Sequence, residues 1–358
     1  MRGGTSKGAY FLAADLPAEP ALRDALLLRV MGSPDPRQID GLGGAHPLTS
    51  KVAVISPSAD PRADVDYLFL QVAVDRLEVS DRQNCGNILA GVGPFAVERG
   101  LVAPGQRETA VRVRMVNSGD CATATFPTPG GRVDYSGGAE ISGVPGAAAP
   151  VVIEFPPGAS PLLPTGNVRD EIEGVAVTCV DNGMPTVLIA ASALGVTGYE
   201  SPRDLEEDVS LAARLRAIRL AAGRLMGLGD VSDTTVPKLT LLAPPRLGGA
   251  VTTRTFIPVH CHPSIGVLGA AGVAAGLRIE GGVGTEIAEL KPESDRIRIE
   301  HPTGFLDIES SLGTTPDGLP SARRTAVVRT ARKIFDGTVF PRSAETAPSP
   351  PHPLGDRR

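Results

Sequence analysis

The chain contains 358 residues, of which 42% are hydrophobic and 21% are charged, and its formal net charge is −5. These values are typical of a folded globular protein and exclude a wholly disordered chain. The acidic balance and the 4% of aromatic residues also argue against a nucleic-acid partner, because such a surface needs clustered lysine and arginine with aromatic rings that stack on bases.

Two kinds of segment give the predicted elements along the chain. Short apolar or alternating stretches predict strands at residues 9–12, 52–55, 65–74, 111–116, 240–242, 296–300 and 325–328. One helix is predicted over residues 19–31, where apolar residues recur at helical spacing. A second helix is predicted to begin with Ser201 as N-cap and Pro202 at its first position. Its predicted apolar face comprises Leu211, Leu215, Ile218, Ala222 and Leu225.

An approximate internal repeat organises the chain. In the first half a Gly-rich turn at 3–8 precedes an apolar strand, and in the second half the turn 181–186 precedes another. Further along each half, a turn containing Cys85 or Cys261 opens a helix rich in small apolar residues, which suits a central position where backbones approach closely. The predicted fold class is therefore α+β, with two similar domains that are each a curved sheet wrapped around a central helix.

The predicted domain boundaries follow this repeat. The first domain spans residues 1–164 and the second spans 165–324, with 325–342 as a candidate return to the first. The last residues, 343–358, are rich in proline and charge, and we expect them to form a disordered tail.

Cysteine usage and the apolar runs bear on the compartment. The four cysteines form no CxxC pair, so neither a disulfide framework nor a zinc ribbon is expected. The longest apolar run, Gly266–Leu277, is too short to span a bilayer, and residues 1–8 lack the apolar stretch of a signal peptide. We therefore expect a cytoplasmic protein with reduced thiols and no membrane partner.

Two residues stand where their surroundings favour proton chemistry. Cys85, in the stretch Asn-Cys-Gly-Asn, is predicted at a helix N-terminus, where free N–H groups and the helix dipole stabilise a thiolate. Lys51 directly precedes an apolar strand, and desolvation there favours the neutral amine that a base requires. From these stretches alone, an inert buried cysteine and an ordinary surface lysine stay open as alternatives.

Two further turns suggest anion binding. The turn GGTSKG at 3–8 lacks the order of a Walker loop and leads into a strand, but it can form an anion-binding nest with the Ser6 hydroxyl; a plain surface turn is the alternative. His260-Cys261-His262 has no second pair of metal ligands, so we expect no metal site there. A second anion site at a helix N-terminus is preferred, with His262 or Ser264 in contact with substrate.

Several of these stretches carry a family resemblance. MRGGTSKG at 1–8, LTSKVAVISPS at 48–58, NCGNILAGVGPFAVERGLV at 84–102 and HCHPSIGVLGA at 260–270 form an ordered series. Over about residues 1–342 the chain resembles the PrpF family of isomerases, and within it the branch of the 4-oxalomesaconate tautomerases of gallate and protocatechuate degradation. The resemblance implies a diaminopimelate-epimerase-like fold and an isomerase without cofactor that moves a proton and a double bond in an unsaturated keto-tricarboxylate.

The resemblance also implies roles for individual residues. Lys51 and Cys85 match the catalytic pair of the family. The residues expected to contact substrate are Ser6, Asn84, Gly86, Asn87, His262 and Ser264. Cys261 lies just before the second central helix and is not assigned as a second acid or base.

Alternatives to this function are kept. The first is a 2-methylaconitate cis-trans isomerase of propionate metabolism, which uses the same proton chemistry on a substrate without the keto group. The second is a non-catalytic carboxylate-binding protein on the same scaffold. The expected partner is a small polycarboxylate substrate, and the sequence leaves open whether the chain forms a homodimer.

Overall fold

The computed structural model describes residues 1–156, 158 and 160–343, which form two compact units. Of the described residues, the first unit comprises Met1–Ala139, Ala148–Val151 and 329–343, and the second comprises Glu140–Ala147 and those of Val152–Val328. The predicted boundary at 164 and 165 falls inside the second unit, and the return to the first begins at Arg329 rather than at 325. The predicted disordered tail lies, from residue 344 on, outside the described residues.

The first unit is built on one sheet with two short helices packed on it. Strand β3 lies parallel to β2 and antiparallel to β4, while β6 lies parallel to β4 and antiparallel to β7. Helix α2 contacts β1 and β2, and α3 contacts β3, β6 and β7. The elements are β1 Arg2–Gly3, β2 Ser6–Leu12, α1 Pro20–Met31, β3 Lys51–Pro57, β4 Val65–Val72, β5 Val79–Ser80, α2 Gly86–Leu89, α3 Val92–Glu98, β6 Glu108–Met115 and β7 Cys121–Pro127.

The second unit repeats this arrangement around a longer helix. Strand β12 lies parallel to β11 and antiparallel to β13, while β15 lies parallel to β13 and antiparallel to β16. Its elements are β9 Asp170–Ile172, β10 Val175–Asp181, β11 Pro185–Ala190, α4 Pro202–Glu207, α5 Val209–Leu225, β12 Lys238–Ala243, β13 Val251–Ile257, β14 His260–Cys261, α6 Val267–Leu277, β15 Arg296–His301 and β16 Gly304–Thr314. Strands β8 Pro150–Phe155 and β17 Pro320–Arg332 each have residues in both units.

Both units therefore follow one order of elements, which confirms the predicted pair of similar sheets around central helices. In each, a first strand leads through a short 3₁₀ turn into one helix (first unit) or two (second unit). A parallel and an antiparallel strand, a two-residue strand, the central helix and a final hairpin follow. Gly8 on β2 faces Lys51 on β3, and Thr186 on β11 faces Lys238 on β12. The repeat thus extends to the register of single residues.

Helix α6 has no polar face. Every residue from Gly269 to Leu277 is buried, because strands β10, β11, β15 and β16 all contact the helix. Its glycines allow these close approaches, since a Cβ atom at Gly276 would overlap the side chain of the fully buried Leu188. None of the helices in the described ranges combines the length and apolar character needed to cross a bilayer.

Two predicted helices are interrupted. The central helix of the first half stops at Leu89 and restarts at Val92. Pro94 explains the break, because a proline has no N–H to donate to the carbonyl four residues earlier and its ring crowds that carbonyl. The helix beginning at Ser201 stops at Glu207, and Asp208 then caps α5 by accepting a hydrogen bond from the Leu211 N–H at 2.9 Å. Leu225 is 52% exposed, so its placement on the apolar face was wrong.

Two glycines of α6 provide a matched test of this packing. We expect Gly276→Ala to lower the free energy of unfolding by about 1–3 kcal/mol relative to Gly269→Ala, because overpacking a full core costs that much. At Gly269 the nearest neighbour of an added Cβ atom lies 3.9 Å away, so alanine fits there. Denaturant unfolding monitored by circular dichroism measures both values. Equal stability of the two variants would contradict the close approach of α6 and β11.

Candidate active site

The structure brings the Lys51 amine and the Cys85 thiol into contact within the first unit. The Lys51 Nζ donates to the Cys85 Sγ at 3.4 Å and lies 5.6 Å from the centre of the Phe69 ring. Both residues are 8% exposed. Two groups that can each carry a proton are therefore buried side by side, and the aromatic ring of Phe69 lies near the amine.

Strand register places Lys51 at this point. Lys51 is the first residue of β3, between Gly8 of β2 and Gln71 of β4. A Cβ atom at Gly8 would lie 2.6 Å from the Lys51 carbonyl oxygen, so only glycine permits the observed approach of the two strands. Because side chains alternate along a strand, Lys51 projects from the sheet face opposite to Val52, which packs in the core cluster around α1.

Cys85 is the N-cap residue of α2, as predicted. Its carbonyl oxygen accepts hydrogen bonds from the Leu89 N–H at 3.0 Å and from the Tyr67 hydroxyl at 3.2 Å. Tyr67 is fully buried, and burial raises the pKa of its hydroxyl far above the ordinary value, so it remains a neutral donor. Apart from its chain neighbours and the backbone of its own helix, no described atom lies within 4 Å of a Cβ built on Gly86, so the backbone beside the thiol is open to an approaching ligand.

Gln38 fixes the loop that leads into Lys51. Its side-chain amide donates to the Ser33 hydroxyl at 3.1 Å and to the Ser50 hydroxyl at 2.7 Å, and its carbonyl oxygen accepts from the Ala45 N–H at 3.0 Å. Gln38 is 2% exposed and has a positive φ of 45°. Sequence reasoning missed Gln38, Tyr67 and Phe69, because no local pattern marks contacts that the fold brings together.

Three other residues of the first unit were predicted to contact substrate, and each has a different environment. The Ser6 hydroxyl is buried and has no hydrogen-bond partner among the described residues. Asn87 accepts from the Thr5 N–H at 3.3 Å, so its side chain ties the Gly-rich turn to α2. Asn84 is exposed and donates to the Ser118 hydroxyl at 2.8 Å, in the turn between β6 and β7.

His262 and Ser264 belong to the second unit. The Ser264 N–H donates to the His262 Nδ1 at 2.9 Å, and the Ser264 hydroxyl lies 3.1 Å from the His301 Nε2. Ser264 stands two residues before Gly266, the N-cap of α6. Among the residues that the structure describes, no group of three or more His, Cys, Asp or Glu residues is arranged to hold a metal ion.

Comparison with known proteins shows the family and the fold of this chain. A family described as PrpF protein matches residues 1–342. A (4E)-oxalomesaconate Δ-isomerase of a Novosphingobium species is 56% identical over 95% of this chain and 96% of its own length, and a 4-oxalomesaconate tautomerase of Pseudomonas putida is 57% identical over 95% and 94%. The crystal structure of a methylitaconate Δ-isomerase superposes with a TM-score of 0.84 and 33% identity, covering 98% of this chain and 97% of that one. The predicted diaminopimelate-epimerase-like fold is confirmed.

Removing the Gln38 side chain tests the support of Lys51. Gln38→Ala leaves the buried Ser50 hydroxyl without its donor, and we expect a loss of about 1–3 kcal/mol in the free energy of unfolding. We also expect kcat to fall at least about tenfold, because the loop before Lys51 loses its anchor. Steady-state kinetics and denaturant unfolding measure the two effects. Gln106→Ala, at an exposed position of the same unit, is the control, and matching values for both variants would rule out this support.

Proposed function

This chain belongs to the PrpF family and is an isomerase, and we propose that its substrate is 4-oxalomesaconate, a tricarboxylate with an α-keto group. The relatives named for oxalomesaconate are 56% and 57% identical to it, whereas the methylitaconate isomerase structure is 33% identical. The identity to these relatives supports the choice of substrate, and the contact between the Lys51 Nζ and the Cys85 Sγ carries the proposed mechanism.

The substrate supplies much of the driving force for proton removal. A C–H bond conjugated with a ketone and a carboxylate is weakly acidic, because its electron pair can move into the conjugated system as a dienolate. A positioned base can remove this proton without a metal ion if the developing negative charge is stabilised. The double bond shifts when a proton is returned at the other end of the three-carbon unit.

One base and one acid complete this exchange. Lys51 takes the proton from carbon and Cys85 returns one at the far end of the allylic unit, or the roles are reversed. After one turnover the acceptor holds an extra proton and the donor lacks one. Because the amine and the thiol are in hydrogen-bond contact, a single proton transfer between them restores the starting state. The contact therefore supports both the forward step and the reset.

The carboxylates of the substrate need donors near this pair. The unpartnered, buried Ser6 hydroxyl and the open backbone at Gly86 support roles in substrate contact in the first unit. We further assign Asn84, Asn87, His262 and Ser264 to polar contacts with the substrate or to the support of those contacts. We propose the cytoplasm as the compartment, because a catalytic thiol must stay reduced.

Substitution of the pair tests the mechanism. We expect Lys51→Met and Cys85→Ser each to lower kcat by roughly 10² or more, because each removes one partner of general acid–base catalysis. The ultraviolet absorbance of 4-oxalomesaconate reports turnover, and proton NMR in D₂O reports deuterium incorporation. Both variants should keep their circular dichroism spectra.

Matched substitutions elsewhere serve as controls. Cys121→Ser removes a thiol from β7 of the same unit, and Lys291→Met removes an exposed amine, so both should turn over at the wild-type rate. Near-wild-type turnover by folded Lys51→Met and Cys85→Ser would refute the proposed pair. Turnover of 2-methylaconitate in preference to 4-oxalomesaconate would instead change the substrate and keep the pair.

A further inference from the structure

The contact between Lys51 and Cys85 brings together two atoms that can bond covalently. The Lys51 Nζ lies 3.4 Å from the Cys85 Sγ, and both residues belong to the first unit. Among the described residues the amine donates to this thiol and lies 5.6 Å from the centre of the Phe69 ring. Because the amine ends a flexible four-carbon chain, it can close the remaining distance to the sulfur while β3 and α2 stay in place. The pair therefore meets the geometric requirement for a bond between nitrogen and sulfur.

The other three cysteines have different neighbours. Cys179 lies beside the Asp170 carboxyl, and burial raises the pKa of its thiol to about 12. Cys261 lies near the Arg254 guanidinium, and burial raises the pKa of its thiol to about 11. Cys121 is half-buried near arginine side chains, and a guanidinium does not lose its proton to become a nucleophile. Within the described part of the chain, Cys85 is therefore the thiol that lies against a lysine amine.

A small oxidant can reach Cys85 although its side chain is only 8% exposed. Apart from its chain neighbours and the backbone of its own helix, no described atom lies within 4 Å of a Cβ built on Gly86, the next residue. Hydrogen peroxide is much smaller than a tricarboxylate, so a thiol that meets such a substrate also meets peroxide. Oxidation selects cysteines that are accessible and reactive as thiolates, and these are the properties that proton transfer also requires.

We propose that Lys51 and Cys85 are a covalent modification site, at which a peroxide joins the two side chains through a reversible S–N bond. The link occupies both partners of the proton exchange, so it switches the isomerase off. It also protects the sulfur, because a sulfenic acid that is not captured is oxidised further to a sulfinic acid, which thiols do not reduce.

The first step oxidises sulfur. The Cys85 Sγ attacks one oxygen of hydrogen peroxide, so that an S–O bond forms and the O–O bond breaks. The thiol gives its electron pair to the peroxide, and its proton leaves with the other oxygen as water. The product at Cys85 is a sulfenic acid.

The second step joins nitrogen to sulfur. The lone pair of the Lys51 Nζ attacks the sulfenic sulfur, so that the S–N bond forms and the S–O bond breaks. The leaving hydroxide takes a proton from the nitrogen and departs as water, and this condensation needs no further oxidant. A base that removes a proton from carbon presents the same lone pair, so this step rests on the proposed function.

Proximity favours the link over further oxidation. The amine is already in contact with the sulfur, whereas a second peroxide molecule has to arrive from dilute solution. Reactions between groups held together in this way have effective concentrations far above those of dissolved reagents. We therefore expect the link to form before a sulfinic acid does.

Dithiothreitol reverses the link. One of its thiols attacks the linked sulfur, the S–N bond breaks, the nitrogen takes the proton of that thiol, and a mixed disulfide forms. The second thiol of dithiothreitol then releases the Cys85 thiol and closes the reagent's own disulfide. The amine and the thiol are thus both restored.

Peptide mass spectrometry tests the link directly. The full chain is treated with hydrogen peroxide, its free thiols are alkylated, and it is digested with trypsin. A linked Lys51 is not cleaved, so we expect the peptide 38–62 joined to the peptide 83–99, with the joined mass lower than the sum of the two by about 2 Da. We also expect kcat to fall at least about tenfold, and to return to within about twofold of its starting value after dithiothreitol.

Matched variants give the controls. Lys51→Arg keeps a positive charge at position 51 but offers no nucleophilic amine, so its Cys85 should become a sulfinic acid that dithiothreitol does not reverse. Lys51→Met should give the same sulfinic acid. Cys121→Ser and Lys291→Met remove a thiol of the same unit and an exposed amine elsewhere, and both should form the link as the wild type does.

Three results would overturn the modification site. One is wild-type protein in which peroxide converts Cys85 to a sulfinic acid with no linked peptide. Another is the same loss of about 2 Da on the peptide 83–99 of Lys51→Arg, which would place the bond on the backbone N–H of Gly86. The third is a linked peptide that retains an oxygen atom between nitrogen and sulfur.

The outcomes also separate this inference from the proposed function. A linked peptide from a protein that leaves 4-oxalomesaconate unchanged refutes the proposed substrate and supports the modification site. Turnover of 4-oxalomesaconate by a protein that forms no linked peptide overturns the modification site and keeps the proposed function.

Discussion

The contact between one buried amine and one buried thiol is the constraint on which the first unit depends. Neither group reaches the other unless β2 and β3 approach at Gly8, where a Cβ atom would meet the Lys51 carbonyl oxygen at 2.6 Å. The thiol must also stand at the start of α2, where Tyr67 holds the Cys85 carbonyl. An isolated buried charge lowers the stability of a protein. Across a contact of 3.4 Å, however, a proton on either group stays close to the other. The pair can therefore lie largely buried and still exchange protons.

Much of the fold was predictable because local patterns were strong. Strand β3 begins where an apolar run begins, and Ser201 caps α4 with a hydrogen bond from the Asp204 N–H at 3.2 Å. Strand β13 was missed because Thr and Arg interrupt its sequence, although every one of its residues except Ile257 is buried. The central helix of the first half was predicted as continuous because periodicity alone does not register the cost of Pro94. Burial of polar strands and local breaks are decided by packing, which a single stretch of sequence does not contain.

The candidate site, too, was predictable from the sequence only in part. Lys51 and Cys85 were identified by resemblance to a family, since the surroundings of each were equally typical of an inert residue. Asn87 was expected to contact substrate, yet its side chain ties down a turn eighty-two positions away in the chain. Gln38 carried no signal at all, because its role depends on hydrogen bonds between loops. Register, rather than composition, reveals that Lys238 repeats the place of Lys51.

Buried arginines in the second unit are satisfied by backbone oxygens. Arg254 is 7% exposed and donates to the carbonyl oxygens of Glu200 and Thr253, at 2.7 and 2.9 Å. Arg219 is satisfied by the loop that precedes β12. Such guanidinium groups stabilise the chain because several of their N–H donors find a backbone oxygen that packing alone would leave without a partner.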